Sequence, residues 1–461
     1  MMRKRGNKEK NMEQREQIRE KMFSNKDLVK LIIPLIIEQL LTVTVGLADS
    51  IMISSVGEAA VSGVSLVDSV MVLLINMFSA LATGGAVVAG QYIGQKKHVM
   101  ACKTADQLIL FVTALSTVIM GVIYLCRNLI LHGVFGQIEA DVMYNARVYL
   151  LIVTASIPFL AVYNGCAALF RTMGNSKIAM NMSLLMNGIN IAGNAILIYG
   201  IGMGVEGAAI PTLVSRIIAA GVMLILLKNR NQAVHLSQNF HFKFKGYLVQ
   251  KILHIGVPNG IENSMFQLGK ILVLSLVAGF GTSAITSNAV CNMVALFEII
   301  PGMAVGFAVL SVVSQCVGAG DYQSAKYYTK KLLVIAYASL IILNIVVVCI
   351  LPVIISAYHL SPQTAAITEK IMIYHTICCV TIWPMSFTLP NTLRAANDVR
   401  YCMVIAIISM WIFRIFFSFV LGKWIGLGVF GVWVAMTLDW LVRGILFVIR
   451  YVKGKWKYQV I

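Results

Sequence analysis

Carboxylates at Glu38, Asp49 and Asp68 lie inside long apolar stretches of this 461-residue chain, and Asn187, Asn190 and Asn194 follow in another. An ionisable group in a hydrocarbon slab costs roughly 2.5–3.5 kcal/mol on insertion scales, so each needs a reason to be there. On a helix, the spacing of Glu38 and Asp49 brings them within about 20° of one face, about 16 Å apart along the axis. Such an acidic stripe suits the wall of a watery cavity. Asn190 and Asn194 share a face by their i, i+4 spacing. Carboxylates with amide oxygens can ligate a sodium ion, and a buried carboxyl can hold a proton. The plainer alternative is interhelical hydrogen bonding that only holds helices together.

A second set is Glu262, Lys270 and Glu298. A lysine between two acids reads either as charge neutralisation that eases insertion or as a substrate or ion site facing a cleft. Asp439 and Arg443, at i, i+4, read as an internal salt bridge; Arg216 and Arg414 receive no role. The nine cysteines show no C-x-x-C and no metal-ligand spacing, so they read as small packing residues, with no metal site. The seven histidines are scattered, and no nucleophile signature accompanies them, so the chain does not read as an enzyme. Twenty-four Met and twenty Phe fit an adaptable apolar cavity, though lipid-facing and packing roles account for most such residues.

The elements carrying these groups are membrane spans. The chain is 59% hydrophobic and 12% charged, with mean hydropathy +0.82. A spanning helix needs about 20 apolar residues, and backbone amides in lipid must bond internally. The apolar runs then give about twelve helices. The net charge of +18 invites a nucleic-acid reading, but its placement opposes one. With both termini cytoplasmic, 29 of the 37 Lys/Arg fall on that side, so the charge sets orientation, and the predicted location is the cell membrane. The start of the chain lacks an apolar stretch ahead of a small-residue cleavage site. It reads as a tail with a short amphipathic helix, not a signal peptide.

The chain also repeats itself. At an offset of 224, Pro34 falls on Pro258, Glu38 on Glu262, Gly57 on Gly281, Gln91 on Gln315, Gly94 on Gly318 and Gly207 on Gly431. Arg171 and Arg394 are offset by 223. The expected organisation is a basic tail (1–27), a six-helix lobe (28–228), a polar cytoplasmic linker (229–247), a second six-helix lobe (248–452) and a basic tail (453–461). An even number of spans per lobe relates the copies by a pseudo-two-fold axis along the membrane normal. The fold class is therefore all-α membrane protein. Prolines within spans (Pro34, Pro158, Pro211, Pro258, Pro301, Pro384, Pro390) predict bends, with Pro34 and Pro258 as matched hinges.

Together these residues resemble the multidrug and toxic compound extrusion (MATE) family. The likeness rests on Ile33-Pro34, Gly46-Leu47-Ala48-Asp49, Gln91-Tyr92-Ile93-Gly94 with Gln315-Cys316-Val317-Gly318, Phe170-Arg171-Thr172-Met173-Gly174-Asn175, Leu393-Arg394-Ala395-Ala396-Asn397-Asp398, and Gly202 to Ala209. It implies two six-helix lobes around a V-shaped cleft with alternating access. It also implies a monomer that exports small organic, often cationic, compounds in exchange for entering Na⁺ or H⁺, with no other cofactor. By resemblance, Asp49 matches the first-helix aspartate and Asn190 the fifth-helix asparagine. Two departures stand out. Many relatives carry aspartate where this chain has Asn194, and the seventh-helix glutamate found in some falls on Phe266, four residues beyond Glu262.

Rival readings make separate demands. A lipid-linked oligosaccharide flippase of the same superfamily would show a lipid-open groove lined by several Arg. A major-facilitator carrier would show an Asp-Arg-rich loop after the second helix, where this chain has Gly94-Gln95-Lys96-Lys97. An ATP-driven pump needs a Gly-x-x-x-x-Gly-Lys-Ser/Thr loop, and the sequence has none. A passive channel is separated by flux that neither saturates nor depends on a counter-ion.

Overall fold

The computed structural model describes residues 22–134, 139–237 and 243–459; the expected amphipathic helix of the basic tail falls largely outside them. Among the described residues, ten helices are long and apolar enough to cross a membrane, and the count is twelve when two sharply bent pairs are each taken as one span. The first six are α1 (Asn25–Ser54), α2 (Glu58–Gly94), α3 (His98–Leu125), α4 (Ala140–Ala155 with Ile157–Thr172), α5 (Ser176–Gly200) and α6 (Glu206–Leu227). The second six are α7 (Gly246–Ala278), α8 (Thr282–Glu298 with Ile300–Gly318), α9 (Tyr322–Ala357), α10 (Pro362–Thr381 with Pro384–Ala395), α11 (Val399–Trp424) and α12 (Gly428–Val452). Among the described residues no strand occurs.

Local chemistry sets several starts. Ser24 caps α1 reciprocally with Asp27: its hydroxyl accepts from the Asp27 amide at 3.2 Å, and the Asp27 carboxylate accepts from the Ser24 amide at 2.9 Å. Ser361 and Pro362 open α10, the serine accepting from the Thr364 amide at 3.3 Å. Prolines divide into two groups. The sharp bends, 48° in α4 and 55° in α10, fall beside Pro158 and Pro384, and α8 breaks at Ile299, just before Pro301. Pro34, Pro211 and Pro258 instead lie inside uninterrupted helices. The reason is positional: a proline in the first turn of a new helix has no amide bond to lose, so the break settles there.

The duplication reappears as paired geometry. Gly57 and Gly281 both hold positive φ, 136° and 94°, at the starts of α2 and α8. Gln91 donates to the Ala395 carbonyl at 2.9 Å, and Gln315 donates to the Thr172 carbonyl at 2.7 Å. Each glutamine thus reaches from its own half into the end of the other half's bent span. Between them, Gly94 abuts the Gln315 carbonyl and Gly318 abuts the Gln91 carbonyl, so closely that any Cβ would collide. Gly84 likewise lies against the backbone of Ile252 and Gly256, which brings α2 onto α7.

Packing runs across the two halves. Leu28, Leu31, Ile32 and Leu35 of α1 belong to a core shared with α8, α9 and α10. Leu248, Ile252 and Ile255 of α7 belong to the core of the first half. Each half lends the beginning of its leading helix to the other, which seals the end of the molecule that carries the start of α1 and the close of α12.

Candidate functional site

Beyond that seal lies a cavity of about 680 Å³, lined by three residues of α2 and otherwise by the second half. From α2 it receives Asn76, Ser79 and Thr83, and α7 supplies Asn259, Asn263, Phe266 and Lys270. Trp383 and Phe387 of α10 stack at 4.9 Å, and Trp440 of α12 meets Phe387 edge-on at 5.8 Å. Glycine makes room for this aromatic wall, since Gly302 of α8 lies directly against the Trp383 ring. No Asp or Glu is among the lining residues; the charged ones are Lys270, Arg394 and Arg414.

The expected lysine between two acids does not form. Glu262 accepts from Arg394 at 2.7 Å, and Glu298 is bonded to His375 at 2.5 Å and to Thr376 at 2.7 Å. Both acids are buried beside the cavity rather than on its wall. The reason is geometric: eight residues of helix put Lys270 about 12 Å beyond Glu262 along the axis. Lys270 instead is exposed to the cavity with its ammonium 5.4 Å from the Phe266 ring. The Asp439–Arg443 salt bridge is present at 3.1 Å.

Glu38, expected to share a stripe with Asp49, is held by Arg171 in a buried bidentate pair. That pair is the twin of Arg394–Glu262 in the other half. Asp49 belongs to a different group. It accepts from Asn194 at 2.7 Å; Asn194 lies 3.4 Å from the Asn190 oxygen, and Asn190 donates to Thr212 at 2.9 Å. Asn187 sits apart, 3.5 Å from Ser183. Asp68 accepts from Tyr149 at 3.3 Å, and Arg216, bonded to Ser156 at 2.7 Å, lies within Coulombic reach of both aspartates. The Asn194 carbonyl oxygen is buried and has no partner among the described residues. With the Asn194 nitrogen turned to Asp49, the carboxyl can hold a proton, and a small monovalent cation would be ligated by both residues only with that amide turned about. Tyr149, Thr212 and Arg216 were not singled out by sequence. Arg216 alone carried a usable signal, being a charge within an apolar run.

Comparison with known proteins now bears on the whole chain. The MatE family model matches twice, at residues 34–196 and 258–420, and both ends of the second match lie 224 residues after those of the first. The chain belongs to the MatE family. An uncharacterized transporter, YisQ, of Bacillus subtilis is 28% identical over 95% of each chain. A probable multidrug resistance protein, NorM, of Thermotoga maritima is 23% identical over 95% of this chain and 94% of its own. Among solved structures, a MATE transporter in a bent conformation covers 94% of this chain and 96% of its own, with TM-score 0.85 and 19% identity. A MOP-superfamily transporter from Pyrococcus furiosus Vc1, described as having a binding pocket of reverse polarity that suggests a different function, gives TM-score 0.84 at 19% identity. These structural likenesses fix the fold as two related six-helix bundles, and the family membership makes the chain a multi-pass membrane transporter.

Proposed function

We propose that this transporter works as a monomer in the cell membrane, both termini cytoplasmic, exporting small organic compounds in exchange for entering Na⁺ or H⁺. One observation carries the coupling: Asp49, on the leading helix, accepts from the Asn194 amide, whose oxygen has no partner among the described residues, while the beginning of that same helix is built into the other half. Charging or neutralising Asp49 therefore acts on a helix that spans both halves. Cation and substrate need only differ in affinity between inward- and outward-facing states for one to drive the other. The glycine seam at Gly94 and Gly318 supports alternation over a passive channel, since it closes the end next to the termini while the cavity lies beyond it. The expected cationic substrates find no acid among the cavity's lining residues. That same lining favours, as a second reading, a flippase for an anionic lipid-linked headgroup.

Reconstitution into vesicles under separately imposed sodium and pH gradients tests the main reading. Asp49→Asn is expected to cut gradient-driven efflux at least about tenfold, with insertion and thermal stability unchanged. Unaltered efflux would remove Asp49 from the mechanism.

A further inference from the structure

The structure assigns the central cavity to organic anions: compounds with an aromatic body and a carboxylate, sulfonate or phosphate group, held between Lys270 and Arg414 across the Phe266 ring. This deepens the transport reading above and rests on it only for the cavity's being a substrate site.

Charge bookkeeping around the wall leads there. Each acid close to it has an ion-pair or hydrogen-bond partner: Glu262 has Arg394 on one oxygen, the other being buried and unpaired among the described residues, Glu298 has His375 and Thr376, and Asp439 has Arg443 and Ser409 at 2.7 Å. Two cations remain. Lys270 is exposed to the cavity and makes no ion pair among the described residues; its ammonium lies over the Phe266 ring. Arg414 is 9% exposed, and its Nε and Nη1 have no hydrogen-bond partner. Its guanidinium sits 4.7 Å from the Phe266 ring and feels Asp439 only at a distance, as a neighbour of the Arg443 pair. Arg443 approaches the same ring at 5.8 Å, so three cations surround one aromatic ring.

A buried guanidinium with free N–H groups is costly unless an acceptor arrives. Arg presents a planar fork that suits a carboxylate or phosphate, and Lys a point charge, so together they make an anion clamp. Trp383, Trp433 and Trp440 provide flat apolar surface for a ring system, and Asn263, Asn288 and Asn292 supply amide donors around it. A wall with no carboxylate offers an organic cation only π faces, against the repulsion of two ammonium-class charges.

The experiment uses two dansyl probes of the same ring system and opposite charge, dansylglycine (an anion) and dansyl-ethylenediamine (a cation). Binding to the full-length protein in zwitterionic nanodiscs is read by energy transfer from the cavity tryptophans, with protein-free nanodiscs as background. No gradient is applied, so a failure of ion coupling leaves this measurement untouched. Dansylglycine is expected to bind at least about tenfold more tightly. Lys270→Gln should erase most of that preference and Lys270→Glu should reverse it; because Lys270 is exposed, neither is expected to unfold the protein. Arg414→Gln should weaken the anion alone. Tighter binding of the cation, equal binding of the two, or a preference that survives both Lys270→Gln and Arg414→Gln would overturn the assignment. So would binding of a polyprenyl phosphate that dansylglycine cannot displace.

Discussion

The two halves share a backbone plan and differ in what they put inside it. Their frameworks match closely: Arg171–Glu38 mirrors Arg394–Glu262, Gln91 mirrors Gln315, and Gly94 mirrors Gly318. Their functional linings do not. At the offset of 224, Asp49 falls on Val273, Asp68 on Asn292, Asn190 on Arg414 and Arg216 on Trp440. The first half keeps an acidic, amide-rich group on α1 and α5, while the second presents cations and indole rings. Paired ions and close glycine contacts are retained in both copies because they hold the same architecture. The residues freed from that duty have diverged, acidic and amide-rich in the first half, cationic and aromatic in the second. The exchange proposed above would have a direct use for such a division.

The largest expected effect tests whether the frameworks are equivalent. Arg171→Ala and Arg394→Ala each leave a buried glutamate uncompensated, which should destabilise the protein by about 3–5 kcal/mol. Thermal unfolding in detergent should show similar losses for the two; a large loss in only one would break the pairing. Next comes the seam. Gly94→Ala and Gly318→Ala force a methyl against a carbonyl of the other half, disfavouring the closed end by about 1–3 kcal/mol. Spin-label distances between the ends of α2 and α8 should lengthen in both variants, and unchanged distances would show that the seam yields without opening. The smallest effect sharpens the contrast in polarity. Val273→Asp gives the second half the acid that the first half has at this place, one helical turn from Lys270. It should weaken dansylglycine binding about tenfold, or about 1.4 kcal/mol, with little change in stability.

The departures from the family resemblance become clearer in this light. The position where some relatives carry a seventh-helix glutamate holds Phe266, and the structure places three cations around that ring. Asn194 stands where many relatives have aspartate, yet it still contacts Asp49, now as an amide whose oxygen remains free. Asp49, Asn190 and Asn194 were legible because i, i+4 spacing and a misplaced charge are visible in one dimension. Helical phase puts Glu38 near the face of Asp49 but says nothing about an arginine 133 residues away, and the structure pairs Glu38 with Arg171.

By itself, the sequence determined that this is a twelve-span, duplicated membrane protein with its charge biased to one side. Hydrophobic length, the positive-inside rule and a constant offset are properties of the chain, readable without contacts. Only tertiary structure decided which acids are neutralised and which cations are left bare, and that the leading helix of each half is built into the other. Charge pairing depends on distances of a few ångströms between residues far apart in the chain, and no periodicity encodes those distances.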